Sequence, residues 1–139
     1  MDLVKWSKEF EIGEKTIDEQ HRELVSRYNK LLEICGSELP EAQKNKEIEK
    51  ALEFLCLYTI QHFIDEEAIQ LKCGFPGYED HKQMHEDFKL KAFELCEKFK
   101  GWGYSYKFAT ILRSQIGQWV LSHIQDEDMK IGEFINQKA

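Results

Sequence analysis

A chain of 139 residues, 42% hydrophobic and 32% charged, is long enough for one domain with a substantial core, and its formal net charge of −7 weighs against nucleic acid or an anionic membrane as the main partner. Only two prolines and eight glycines, beside abundant Glu, Lys and Leu, favour helix. The opening Met1-Asp2-Leu3-Val4-Lys5-Trp6 lacks the apolar run of a signal peptide and no segment can span a bilayer, so the chain is expected to act in the cytoplasm, away from membranes.

Residues 1 to 17 read as an irregular arm, in which Trp6, Phe10 and Ile12 are apolar enough to pack onto a body. The arm is either a cover over a site or a plain strap. Asp18 is a suitable N-cap for a first helix whose stripe is Ile17, His21, Leu24, Val25, Tyr28, Leu31, Leu32 and Cys35, ending near Gly36. Pro40 suits the start of a second helix, and the charged run from Glu41 to Lys50 reads equally as its solvated face or as a loop. Its stripe is Ile48, Leu52, Leu55, Thr59, His62, Glu66, Ile69 and Cys73, stopped by Gly74 and Pro76. A third helix, Tyr78 to Lys100, carries His81, His85, Phe88, Ala92, Leu95 and Phe99 inward and closes at Gly101 and Gly103. Ser105 can cap a fourth, with Phe108, Leu112, Ile116, Trp119, Val120, His123, Ile131 and Ile135 on one face. Four amphipathic helices with short connections, spanning 18–136 after the arm, predict an all-α fold: an antiparallel up-down-up-down four-helix bundle, one domain over 1–139.

All five histidines fall on the inward stripes: His21, His62, His81, His85 and His123. His62 and Glu66 are four residues apart, as are His81 and His85, which puts each pair on one helix face, one turn apart. A lone inward His is usually a core residue with a hydrogen-bond partner. Five of them, with Glu66 and one acid after His123, make seven candidate ligands, too many for a tetrahedral zinc site and natural for two metal ions sharing carboxylates. Mostly neutral imidazoles suit iron, zinc or copper better than magnesium or calcium. Helical spacing alone selects Glu127, four residues after His123, over Asp128, which is five after. Cys35, Cys56, Cys73 and Cys96 are widely spaced, form no C-x-x-C pair, and are expected as reduced, apolar-like thiols.

The blocks Ile17-Asp18-Glu19-Gln20-His21, His62-Phe63 with Glu66-Glu67, Phe75-Pro76, His81-x-x-x-His85 and His123-x-x-x-x-Asp128 together resemble the hemerythrin family. Trp6-Ser7 brings the likeness nearest to its bacterial single-domain form. The likeness covers nearly the whole chain, and the family's own fold is an up-down-up-down bundle, so the two fold readings are not independent. It implies two iron ions bridged by an oxide or hydroxide, with His81, His85 and His123 on one, His21 and His62 on the other, and Glu66 and Asp128 between them. Asp128 thereby replaces Glu127, and a local widening of the helix would turn it inward. The implied function is reversible dioxygen binding by a carrier, store or sensor, in a dry pocket whose candidate lining is Phe63, Trp119, Val120 and Ile124. Dioxygen is the implied partner, with a reductant or dioxygen-accepting protein as a further one. Gln70, four residues past Glu66, stands where many bacterial relatives carry Met. The alternatives are a di-iron enzyme reducing dioxygen, peroxide or nitric oxide, and a structural zinc bundle. The Glu-x-x-His motifs of ferritin-like oxidases are absent.

Overall fold

Four helices follow the expected order in the computed structural model, which describes residues 3–138. Met1 and Asp2, at the head of the expected arm, and Ala139 lie outside the described residues. Helix α1 is Lys15–Cys35, α2 is Glu41–Cys73 and α3 is Tyr78–Trp102. The fourth, α4, runs unbroken through Tyr106–Ile111, Leu112–Gly117, Gln118–Ser122, His123–Asp128 and Met129–Lys138. Helix α1 packs on α2, α2 on α3, and α3 on α4, joined by short turns, which makes the molecule an all-α four-helix bundle. No helix is long and apolar enough to cross a membrane among the described residues.

The boundaries differ from expectation where side chains have other work. Helix α1 starts at Lys15, with Glu14 capping it by accepting from the Ile17 amide at 2.7 Å. Asp18 is already inside the first turn. Its carboxylate reaches back to accept from the amides of Ile12 (2.7 Å) and Gly13 (3.1 Å), so it fastens the arm and does not cap the helix. The stretch from Glu41 to Lys50, left open by its charge, is helical throughout, and α3 continues through Gly101 to Trp102 before Gly103 ends it at φ 67°.

The arm is tied at further points. Asn29 holds Val4 through both its backbone groups at 2.7 Å, Trp6 packs on Phe10, and Arg22 lies over the Trp6 ring. Ile12 crosses α4 at Gly132, where a Cβ would collide with the Ile12 carbonyl oxygen, so only glycine lets the arm lie there. Gly117 admits the Tyr28 hydroxyl in the same way.

The core is two apolar clusters. The larger includes Leu31, Leu32, Leu52, Leu95, Phe108 and Leu112; the smaller is Ile12, Ile17 and Ile131, with Ile69 and Phe75 against it. On α1, α2 and α4 the inward histidines and acids fall between positions of the two clusters, and on α3 His81 and His85 lie between Phe88 and the turn residue Phe75, so a polar layer has apolar side chains above and below. The expected stripes differ at several positions: on α2, Phe63 and Gln70 are buried while Ile69 and Cys73 are half-buried, and on α4, Ala109 and Ile124 are buried while Trp119, Val120 and Ile135 are half-buried.

Candidate metal centre

That layer holds the seven side chains anticipated from the sequence, all buried: His21 from α1, His62 and Glu66 from α2, His81 and His85 from α3, and His123 and Asp128 from α4. They form two overlapping groups whose donor atoms lie within 4.8 Å of one another: Glu66, His81, His85, His123 and Asp128 in one, and His21, His62, Glu66 and Asp128 in the other. Both carboxylates belong to both groups.

Asp128 gets there by backbone geometry. The stretch His123–Asp128 is π-helical, one residue wider per turn than α-helix, so a residue five positions on returns to the same face. Asp128 Oδ1 then stands 3.1 Å from His123 Nε2 and 3.0 Å from His81 Nε2, while Oδ2 stands 2.9 Å from His21 Nε2. Glu127, the choice from plain α-helical spacing, is directed away and pairs at 3.2 Å with exposed Lys130. A second widened turn, Leu112–Gly117, lies two turns earlier and had no sequence signal.

Glu66 is the other hub. Its oxygens lie 2.8 Å from His81 Nε2, 3.1 Å from His62 Nε2, 3.3 Å from His85 Nε2 and 3.7 Å from His21 Nε2. The Nε2 atoms of His81 and His85 are each 3.1 Å from that of His123. Neighbouring imidazole nitrogens can share one proton at most per contact. The same spacing fits adjacent corners of an octahedron about one ion roughly 2.2 Å from each nitrogen. His21 Nε2, Glu66 Oε2 and both Asp128 oxygens are buried without an aligned hydrogen bond, although other donors stand close by. Their lone pairs converge on shared space between them, as those of metal ligands do. The residues present fit a two-ion site.

The outer nitrogens are held from behind. His62 Nδ1 meets Gln20 Oε1 at 2.6 Å, His85 Nδ1 meets Glu67 Oε2 at 2.8 Å, and His21 Nδ1 meets the Phe10 carbonyl at 3.4 Å. Gln20 in turn donates to Asp65, which also accepts from Gln61. Such partners fix the tautomer that leaves Nε2 free to bind a metal. In the sequence Gln20 and Glu67 stood only as members of the family blocks and Phe10 only as an apolar residue of the arm, none of them as a partner of a histidine. Gln20 and Glu67 each adjoin a ligand, and the Phe10 carbonyl carries no sequence signal. The arm therefore does more than strap the bundle, because it supplies a hydrogen-bond partner for His21.

Burial alone would lower the His21 and His81 pKa values. Asp128 and Glu66 outweigh it, raising His21 to about 10 and His81 to about 9 in the metal-free protein. Burial would likewise raise both acids, yet the surrounding histidines hold Glu66 well below the ordinary carboxylate range and lower Asp128 too. Without metal, then, protons on His21 and His81 offset the charge of the buried carboxylates, and a metal ion must displace them.

Residues 13–135 match the family model described as the hemerythrin HHE cation-binding domain. The chain belongs to the hemerythrin family. It is 27% identical over 128 residues to a bacteriohemerythrin of Stenotrophomonas maltophilia, covering 92% of this chain and 78% of that protein. A myohemerythrin of Riftia pachyptila is 26% identical over 125 residues, covering 90% and 88%. A crystal structure of wild-type hemerythrin superposes with a TM-score of 0.82 at 25% identity, covering 96% of this chain and 98% of that one.

The hemerythrin-like centre has aromatic walls. Phe63 stacks on the His85 ring at 3.7 Å, and Trp119 stacks on His123 at 4.4 Å and on Phe88 at 4.1 Å. A small void of about 20 Å³ is lined by Leu24 and Val25 one turn after His21, Thr59 one turn before His62, and Val120 one turn before His123. Of the four residues expected to line a dioxygen pocket, Val120 borders this void, whereas Phe63, Trp119 and Ile124 do not.

Proposed function

We propose that the chain binds dioxygen reversibly at a non-haem di-iron centre. The observation that carries this reading is the asymmetry of the two donor groups: three imidazoles serve one, two serve the other, and Glu66 and Asp128 serve both. His81, His85 and His123 would hold the first iron and His21 and His62 the second, which is left short of one protein ligand. When bound, the iron pair supplies the electrons that dioxygen takes up and returns on release.

The chain's own residues set the conditions for reversibility. The void bordered by Leu24, Val25, Thr59 and Val120 lies one turn along the helices from His21, His62 and His123, and would give a diatomic molecule room near the centre. Its apolar walls exclude water, which would otherwise supply protons and drain the electrons. The Thr59 hydroxyl there donates to the Leu55 carbonyl at 2.7 Å and so keeps its proton away from the void. Phe63 and Trp119 cover the three-imidazole group and hold its rings in place.

The test is an anaerobic titration with ferrous ion, then air, then removal of oxygen, followed by visible absorbance and metal analysis. Two irons per chain and a charge-transfer band that appears and disappears with oxygen support the proposal. One iron per chain removes the dinuclear reading. Irreversible bleaching with turnover would replace dioxygen carriage by an enzyme reducing dioxygen, peroxide or nitric oxide. A protein that takes zinc and stays colourless would be a structural bundle.

A further inference from the structure

Two of the four cysteines are brought together by the bundle although 40 positions separate them in sequence. Cys56 on α2 and Cys96 on α3 place their Sγ atoms 3.4 Å apart, both half-buried. They line a groove of about 410 Å³ between α2 and α3, whose walls include the exposed apolar side chains of Leu57, Ile60 and Phe93. The metal centre uses neither thiol, and ordinary packing does not call for facing sulfurs at the wall of an open apolar groove. We propose that Cys56 and Cys96 form a peroxide-reactive dithiol that takes hydroperoxides with an apolar tail and closes to a disulfide joining α2 to α3.

The two sulfurs are unequal. The contact with Cys56 draws the Cys96 pKa down, against burial and with the help of Lys100 one turn along. The same contact, together with burial, pushes Cys56 up. Lys100, one turn after Cys96 on the same helix, favours a thiolate there, so Cys96 is the attacking sulfur and Cys56 the resolving one. The Cys96 sulfur attacks the terminal oxygen of R–O–O–H, the O–O bond breaks, and the alkoxide leaves, taking a proton to become the alcohol. Cys96 is now a sulfenic acid. The Cys56 sulfur attacks it, the S–S bond forms, the S–O bond breaks, and hydroxide leaves with the Cys56 proton as water. Two thiols and one hydroperoxide thus give one disulfide, one alcohol and one water. The sulfurs must approach from 3.4 Å to bonding distance, about 2.05 Å, a step that side-chain rotation can supply.

The experiment treats the iron-loaded protein with cumene hydroperoxide or hydrogen peroxide and maps the thiols by mass spectrometry without reduction. The expected result is loss of two of the four thiols, a linked peptide pair containing Cys56 and Cys96, and full reversal by dithiothreitol. Cumene hydroperoxide should act about tenfold faster than hydrogen peroxide, because its ring is buried against the groove walls. Cys56→Ser and Cys96→Ser should each abolish the link while leaving iron content unchanged. Oxidation that consumes all four thiols alike, or stops at sulfinic acid without a link in the parent protein, overturns the dithiol. Equal rates for the two peroxides overturn the apolar substrate. The linked peptide is read independently of any peroxide consumed at the iron, so its outcome is separate from that of the dioxygen proposal.

Discussion

Asp128→Ala and Glu127→Ala, made side by side, test whether the widened turn in α4 builds the centre. Asp128 is 1% exposed, and its carboxylate faces His21, His81 and His123 at 2.9, 3.0 and 3.1 Å. Removing it from the metal-free protein leaves the buried, proton-bearing His21 and His81 without one of their two counter-charges, at a cost of about 3–5 kcal/mol. For a domain of this size that is a Tm lower by roughly 10 °C or more. The same change removes one of the two carboxylates common to both donor groups, so on the proposed two-ion centre metal content should fall well below two per chain. Glu127 instead meets an exposed lysine, and its loss should cost no more than about 0.5 kcal/mol, with metal content as in the parent. The assay is thermal melting by circular dichroism with and without iron, paired with metal analysis. The reasoning is refuted if Glu127→Ala loses as much metal as Asp128→Ala, or if Asp128→Ala keeps the Tm and metal content of the parent.

Deleting Gln125, an exposed residue inside the π-helical turn, should restore a plain α-helix with the flanking His and Asp four apart and preserve metal content; loss of metal would show that the widened turn itself is required. Because His21 and His81 are raised from 6.5 to about 10 and about 9, the stability they lend the metal-free protein is complete below pH 6.5 and is lost as pH rises through those values. Melts in chelator should therefore show a falling Tm between pH 6.5 and about 10, and a flat or rising Tm would contradict the assigned proton positions. Metal loading, which displaces those protons, should strengthen over the same range. Gln70→Met should raise the Tm of the metal-free protein by about 3 °C or more, since Gln70 is fully buried with neither amide atom hydrogen-bonded; a lower Tm would reveal a partner for that amide. Val120→Asn should leave iron content unchanged and make the dioxygen complex decay several-fold faster, as followed by its absorbance in air; equal decay would make Val120 a packing residue only.

The helices were legible in the sequence because burial on one face imposes a three- and four-residue period, and because Gly36, Gly74 and Gly103 end helices for local reasons. The inward histidines were legible for the same reason, each lying on an apolar stripe. Other features had no local signal. Whether Asp18 caps a helix or ties the arm depends on where Ile12 and Gly13 lie, six and five residues back, and that is set by the arm's passage over Gly132. The choice between Glu127 and Asp128 turns on one backbone stretch being π rather than α, which the composition of His123–Asp128 does not announce. The resemblance to a family pointed to Asp128, and only the packed bundle brings its oxygens within reach of imidazoles from α1 and α3. The facing of Cys56 and Cys96 is likewise a product of how α2 lies on α3. Periodicity determines which side of a helix is buried; what meets it there is decided by its neighbours.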